Sequence, residues 1–331
     1  MNFIGMDIHK QFTVAVVKDE QGNELAKDKF ENSKERFADF LKQFPTENTK
    51  IVMESTCVWE YIFEILEEMK YDVKLSNPSR TKAIAWARIK TDNVDASTLA
   101  DLLRANLVAE SYIPPKHIRQ LREIVRERRT FVKQTTQIKN RIHALLIKRG
   151  IKLPTATLSK KALKLISNSV DENDILEHYI NLLWYHKQEL NFIEDKIRKI
   201  SEENPEAKLL ITIPGIAEIR GMDIIAEIGD INRFPTADKL CSYAGLVPSI
   251  KQSGNSLRFG RLIQQSSKVL KYNLIEASWN IVRTKEDNPL KRFYIKLSKK
   301  KGKQKAICAT ARKLCCVIHS MLRKNQKFMI L

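Results

Sequence analysis

The sequence predicts a mixed α/β domain at its N-terminal end followed by a largely helical remainder, and three observations carry that prediction. Short β-rich runs separated by turn residues fill the first 110 positions. Two stretches between 117 and 203 keep a heptad-like beat of apolar residues, the first broken by Arg128, Thr135 and Lys139 and the second in alternating steps of three and four. From Pro205 onward, helical patterning resumes around glycine turns.

The N-terminal elements follow in order. "FIGMDI" (3–8), "FTVAVVK" (12–18) and "ELAKDKF" (24–30) are β-rich runs joined by "HKQ" and "DEQGN", which makes a three-stranded antiparallel meander. Phe37, Phe40, Leu41 and Phe44 then keep helical spacing up to Pro45. "KIVMES" (50–55) reads as a buried strand, "WEYIFEILEEMK" as a helix and "YDVKLS" as a strand. Pro78 opens a helix running to about Ile89, and Asp92 begins the next. The order β-β-β-α-β-α-β-α is that of a ribonuclease-H-like fold, in which the first and fourth strands are neighbours.

Residues 117–149 read as one long basic helix between "IPP" and Gly150, and 174–203 as a second. In the second, Leu176, Tyr179, Leu183, His186, Leu190, Ile193, Ile197 and Ile200 mark a coiled-coil-like seam. An antiparallel pair within one chain and a dimer both satisfy that seam. Further on, "LLITIPGIAEIRGMDIIAEIG" resembles a helix-hairpin-helix, with Gly215 in a turn whose N–H groups could approach a phosphate. A simple helical turn would need the same glycine. Residues 241–262 read as a flexible polar stretch because Gly245, Pro248, Gly254 and Gly260 interrupt the helical pattern. Helices return from Ser266 to Val282 and around Ala306–Met321. The expected division is a catalytic domain at 1–110, a basic helical region at 111–204 and a mostly α C-terminal domain at 205–331.

Charge narrows the class of partner. The net charge is +19 over 331 residues, yet residues 1–110 carry 15 Lys+Arg against 19 Asp+Glu. Residues 111–164 and 283–328 each carry 15 against 2. Concentrated basic segments of this kind suit a polyanion, since each neutralised phosphate releases counterions. Neither segment has the aromatic-rich apolar face of a membrane-surface helix. No apolar run reaches the roughly 18 residues of a membrane span, and no signal-peptide pattern opens the chain, so a cytoplasmic protein is expected. Five cysteines with no CxxC pair point to reduced thiols rather than a structural zinc.

Four acidic residues carry the chemistry. Asp7 lies in an otherwise apolar strand, an expensive position without a cation or hydrogen-bond donors. Glu54 closes the strand expected beside it. Asp92 and Asp95 lie three apart at a helix start, on one face. Each has an ordinary reading: Asp92 as an N-cap, Asp95 as a first-turn acid, Asp7 and Glu54 as strand ends. Their joint occurrence at topologically matching positions favours a cage for hard divalent ions such as Mg²⁺, and two such ions could hold a scissile phosphate. Asp101 is expected to point elsewhere. The "GxDI" opening also fits an actin-like sugar kinase or ATPase. That class, however, needs a Gly/Thr-rich hairpin where this chain has Ile8-His9-Lys10.

"GMDIHK", "VMEST", "KTDNVDA" and "IPGI…AEIGDINRF…YAGLVPSIKQSGNSLRFGR" together resemble the DEDD insertion-sequence transposases, the bridge-RNA-guided recombinases, over roughly 1–108 and 208–282. The resemblance implies a Holliday-junction-resolvase-like domain with Asp7, Glu54, Asp92 and Asp95 as a Mg²⁺-binding tetrad. It implies a serine nucleophile in the second domain, placed at Ser253 by the "SG" motif, with DNA joined covalently to its hydroxyl and a free 3′-OH left for strand exchange. It further implies a guide RNA, DNA at element ends and target, and a homo-oligomer (dimer or tetramer) in which one subunit's tetrad meets another's serine. "IRGMDII" (219–225) departs from the Ala-rich helix usual after the family's glycine turn. On residue type alone Ser249 and Ser256 compete with Ser253. A junction resolvase hydrolysing phosphodiesters with the tetrad alone is the alternative enzyme. A catalytically inert RNA- or DNA-binding protein is the alternative from another class.

Overall fold

The computed structural model of the chain describes residues 1–84, 91–151, 158–167, 174–253 and 256–329, which form two compact units, Met1–Ile113 and Pro114–Leu331. In the first, β1 (Asn2–Ile8), β2 (Phe12–Lys18) and β3 (Glu24–Glu31) form the expected meander. There follow α1 (Lys34–Leu41), β4 (Thr49–Glu54), α2 (Trp59–Glu68), β5 (Asp72–Ser76), α3 (Pro78–Ile84), α4 (Asp92–Arg104) and the short β6 (Glu110–Ser111). The sheet order is β3-β2-β1-β4-β5-β6, with β4 parallel to both β1 and β5. The first and fourth strands are therefore neighbours, as the element order predicts. The end of the helix expected to reach Ile89 lies outside the described residues.

Strand alternation sorts the two faces of this sheet. Ile4, Met6 and Ile8 of β1 join Ile51 and Met53 of β4 in a core closed by Phe37, Phe40, Leu41, Ile62 and Leu66 from α1 and α2. The intervening positions, Gly5 and Asp7 of β1 with Val14, Val16 and Val52, face the other way. There α4 covers them through Ala96, Leu99 and Leu103. The contact is close enough to require glycine. A Cβ on Gly5 would lie 2.1 Å from the Ala96 carbonyl oxygen and 2.5 Å from the Ala100 amide nitrogen.

The second unit begins with α5 (Lys116–Lys148), α6 (Lys160–Ser167) and α7 (Ile175–Glu203). The seam pairs α5 with α7 inside the chain, running antiparallel. Ile138, Ile142 and Leu146 late in α5 pack with Leu176, Ile180 and Leu183 early in α7, while Leu121 and Val125 early in α5 share a core with Ile197 late in α7. Arg128 to Glu194 (2.7 Å) and Arg149 to Asp174 (2.6 Å) run along the same pairing.

Next come α8 (Pro205–Ile211), α9 (Glu218–Ile228), α10 (Ala237–Tyr243), β7 (Pro248–Ser253), β8 (Ser256–Leu262), α11 (Lys268–Arg283), α12 (Pro289–Lys301) and α13 (Lys303–Lys324). The described residues of 241–262 are thus not an irregular loop. They hold the end of α10 and an antiparallel hairpin in which Ile250 registers with Phe259 and Gln252 with Leu257. Cross-strand pairing gives the backbone partners that the glycine-rich composition hid. Gly215, between α8 and α9, adopts φ 87°, and a Cβ there would lie 2.9 Å from the Ile281 amide nitrogen of α11.

Helix α9 buries two carboxylates, Asp223 and Glu227. Glu227 accepts from Arg126 Nη2 (2.8 Å) and Nε (3.0 Å) of α5 and from Ser267 Oγ (3.1 Å). Arg122 donates to the Ala226 and Glu227 carbonyls, and Arg233 to that of Ile228, so arginines satisfy the C-terminal carbonyls of the helix. Asp223 lies between Arg220 (3.6 Å) and Arg128 (3.9 Å), yet burial outweighs both and pushes its carboxyl up to about 6.

Candidate active site

Asp7 occupies the β1 position two residues beyond Gly5, so the strand turns it toward α4. It is 7% exposed. Glu54 ends β4, one step past the last registered pair, Met6 with Met53. Because β1 and β4 are parallel, the two carboxylates arrive at the same end of the sheet. Glu54 follows Val52 by two positions and shares its alternation, which places it on the α4 side.

Helix α4 supplies the other pair. Its N-cap is Thr91, whose hydroxyl accepts from the Val94 amide at 3.3 Å. Asp92 and Asp95 stand in the first turn. The cap role that the sequence left open for Asp92 belongs to Thr91, which leaves the Asp92 carboxylate available for other contacts. Acids in a first turn gain about 0.3–1 kcal/mol each from the helix dipole, enough to explain their presence at a helix start. The dipole does not explain why they are gathered at a buried aspartate.

That gathering is visible in the charges. The Asp7 carboxyl is held above its ordinary value, chiefly by burial, and Asp95 and Asp92 push it the same way while His9 opposes them. His9 Nε2 lies 3.2 Å from Asp7 Oδ2 and 3.4 Å from Asp92 Oδ2. One ligand atom from each of Asp7, His9 and Asp92 falls within 4.8 Å of the others. Among the described residues, the carboxylates of Asp7 and Asp92 and the imidazole of His9 form a donor set that fits a divalent cation. Asp101 stands apart, bonded to Lys18 Nζ at 2.5 Å.

Comparison with known proteins bears on what such a site does. Residues 4–148 match the family profile of the DEDD transposases of the IS110 type, and residues 207–294 match that described as "Transposase IS116/IS110/IS902 family". The chain belongs to the IS110/IS116/IS902 transposases. Three relatives illustrate the range of this DNA transposase and recombinase family. The transposase for insertion sequence element IS1111A of Coxiella burnetii is 22% identical, over 84% of this chain and 79% of its own length. The transposase for IS1328 of Yersinia enterocolitica is 21% identical, covering 84% and 83%. The pilin gene-inverting protein of Moraxella bovis is 28% identical, covering 86% and 83%.

In this transposase the acidic residues lie in the first unit and the candidate serine in the second. Ser253 is the last residue of β7 and registers with Ser256 at the start of β8, while Gly254 and Asn255 between them lie outside the described residues. Ser249 stands earlier in β7, where Gly260 leaves room for it: a Cβ on that glycine would lie 2.3 Å from Ser249 Oγ. His9 is the site residue that sequence reasoning missed. The signal was its spacing of two from Asp7, just past the end of β1 where the chain turns back toward β2. Among the described residues no helix is long and apolar enough to cross a membrane, and all five cysteines are free thiols.

Proposed function

We propose that this transposase is the RNA-guided recombinase of an insertion sequence, cutting DNA through a covalent phosphoserine at Ser253. The single observation that supports it most is the convergence of Asp92 and Asp95 on the buried Asp7, in a chain that matches both halves of the family. The strand order β3-β2-β1-β4-β5, with β1 beside β4, supports a ribonuclease-H-like first unit. The left-handed Gly215 between α8 and α9 supports a helix-hairpin-helix-like turn.

The proposed metal site is Asp7, Glu54, Asp92 and Asp95, with Mg²⁺ as the ion. When bound, such an ion supplies charge stabilisation for a phosphate oxygen and lowers the pKa of an attacking hydroxyl. The residues of the chain do the rest. Ser253 Oγ forms the bond to phosphorus, its proton passing to water or a carboxylate. The P–O3′ bond breaks, and the 3′ oxygen takes up a proton as a free 3′-OH. One phosphodiester replaces another, so the energy for rejoining is retained and no external cofactor is consumed. Serine needs such activation because its hydroxyl is a weak nucleophile at neutral pH. DNA at element ends and target, a guide RNA and further copies of the chain are the proposed partners.

The test uses the full chain with its native flanking DNA and RNA, labelled element-junction DNA and Mg²⁺. After denaturation, mass spectrometry should find DNA attached to Ser253, and none in Ser253→Ala. Asp7→Asn should abolish cutting while nucleic-acid binding changes less than about twofold, since binding draws on the basic segments. DNA that is cut with no adduct would replace this reading with a hydrolytic resolvase. An adduct at Ser249 or Ser256 would move the nucleophile.

A further inference from the structure

We propose that His9 is a ligand of the metal site, so that its imidazole Nε2, Asp7 Oδ2 and Asp92 Oδ2 form one triangular face around a divalent first-row transition ion. The proposal rests on the acidic metal site above and keeps Mg²⁺ as an ion it can hold; it adds a nitrogen donor, a consequent gain in Mn²⁺ affinity that Mg²⁺ does not share, and a residue outside the acidic tetrad.

Distances carry the first part of the argument. Adjacent donors on an octahedron with bonds of about 2.1 Å stand about 3.0 Å apart. His9 Nε2 stands 3.2 Å from Asp7 Oδ2 and 3.4 Å from Asp92 Oδ2. The third edge, between the carboxylate oxygens of Asp7 and Asp92, lies within 4.8 Å, so drawing that edge in toward about 3.0 Å would let all three residues ligate one ion.

The position of the ring carries the second. His9 is fixed by its surroundings rather than by the carboxylates alone. Its amide donates to the Phe12 carbonyl at 2.9 Å, and its own carbonyl accepts from Asn32 Nδ2 at 2.8 Å. Asn32 is held in turn by Thr13 Oγ1 at 2.6 Å. The imidazole stacks on Phe12 with centroids 4.5 Å apart and planes 25° apart, and Lys29 Nζ covers that phenyl ring at 3.9 Å. A ring held this way loses little entropy on coordination, as a supported ligand should. A surface histidine serving only as a counter-charge would need no such support.

Donor chemistry then sets the preference. Mg²⁺ favours oxygen ligands and retains its waters, whereas first-row transition ions accept imidazole nitrogen. The His9 donor thus adds to Mn²⁺ affinity at this corner and not to Mg²⁺ affinity.

The competing view is that His9 is a cation occupying the ion's place, and the two views predict opposite signs. Mn²⁺ binding to the full-length chain is followed by electron paramagnetic resonance, with pulsed measurement of nitrogen coupling in protein carrying ¹⁵N-histidine. The expected result is a directly bound imidazole nitrogen in the wild type that is lost in His9→Gln. Mn²⁺ affinity should fall at least about tenfold in His9→Gln and His9→Ala, while Mg²⁺ affinity changes less than about threefold. Melting of the metal-free variants confirms that the fold is kept, and the wild-type nitrogen signal needs no variant. Affinity that is unchanged or tighter in His9→Ala, or the absence of nitrogen coupling, overturns the proposal. Asp7→Asn separates the two readings. If it abolishes Mn²⁺ binding while His9→Ala does not, only the histidine assignment fails. If Mn²⁺ binding survives Asp7→Asn, the metal site itself is misplaced and both fail.

Discussion

Gly5→Ala is the smallest change that should disable the candidate site without touching any of its side chains. The added Cβ would lie 2.1 Å from the Ala96 carbonyl oxygen, 2.5 Å from the Ala100 amide nitrogen and 3.0 Å from Leu99 Cβ. Two of these are helix backbone and cannot rotate aside. To recover the 3.4 Å at which ordinary contact begins, α4 must retreat from β1 by about 1.3 Å. Overpacking of this kind costs about 1–3 kcal/mol. For a unit of this size, a cost at the upper end lowers the melting temperature by on the order of 10 °C. The same retreat draws Asp92 and Asp95 away from Asp7, and a misplacement of about 1 Å in a catalytic constellation costs roughly 10²-fold in rate. Calorimetry of the purified chain and excision of the element in cells would measure the two effects. A Gly5→Ala protein that melts within about 2 °C of wild type and excises at full rate would refute the argument, because α4 could not then be seated on β1 as described.

Three further predictions concern the second unit. Asp223 has its folded pKa raised to about 6 by burial, above the unfolded value, so its ionisation opposes folding at neutral pH and the penalty is relieved as pH falls from about 6 toward 4. That penalty is roughly 3 kcal/mol at most. Urea unfolding should show the stability difference between wild type and Asp223→Asn varying with pH across this window; parallel curves would contradict the assignment. For the basic helix, neutralising Lys133, Lys139, Arg141 and Lys148 to Gln should reduce the salt dependence of the proposed RNA binding by up to about four counterions with little change in melting. Arg126→Gln should instead lower the melting temperature, by leaving the buried Glu227 with less compensation. Equal effects of the two sets on binding would show that the nucleic-acid surface is not the exposed side of α5.

Much of the first unit could be read directly because strand alternation is a local property. Asp7 between Met6 and Ile8 must face away from their core whatever covers the other side, and the β-β-β-α-β order sets β4 beside β1. The helical seams were legible for the same reason, since steps of three and four follow from the geometry of a single helix. The hairpin at 248–262 was not legible: its pairing of Ile250 with Phe259 depends on a partner strand, while its glycines read as loop.

The sequence by itself determined the charge blocks, the faces of the strands and the choice of the four acids proposed as the metal site. Tertiary structure alone decided what those groups meet. The seam of α7 is satisfied within the chain, which the heptad pattern could not distinguish from a dimer. Several arginines counted among the basic residues of α5 are committed inward: Arg119 to a carbonyl before the helix, Arg122 and Arg126 to the end of α9. His9 reaches Asp7 and Asp92 because a turn pins its backbone and Gly5 lets α4 come down onto the sheet. The physical reason is common to all three. Periodicity and charge are carried by neighbouring residues, whereas the partner of a buried or gathered polar group is chosen by which distant backbone can approach it closely enough.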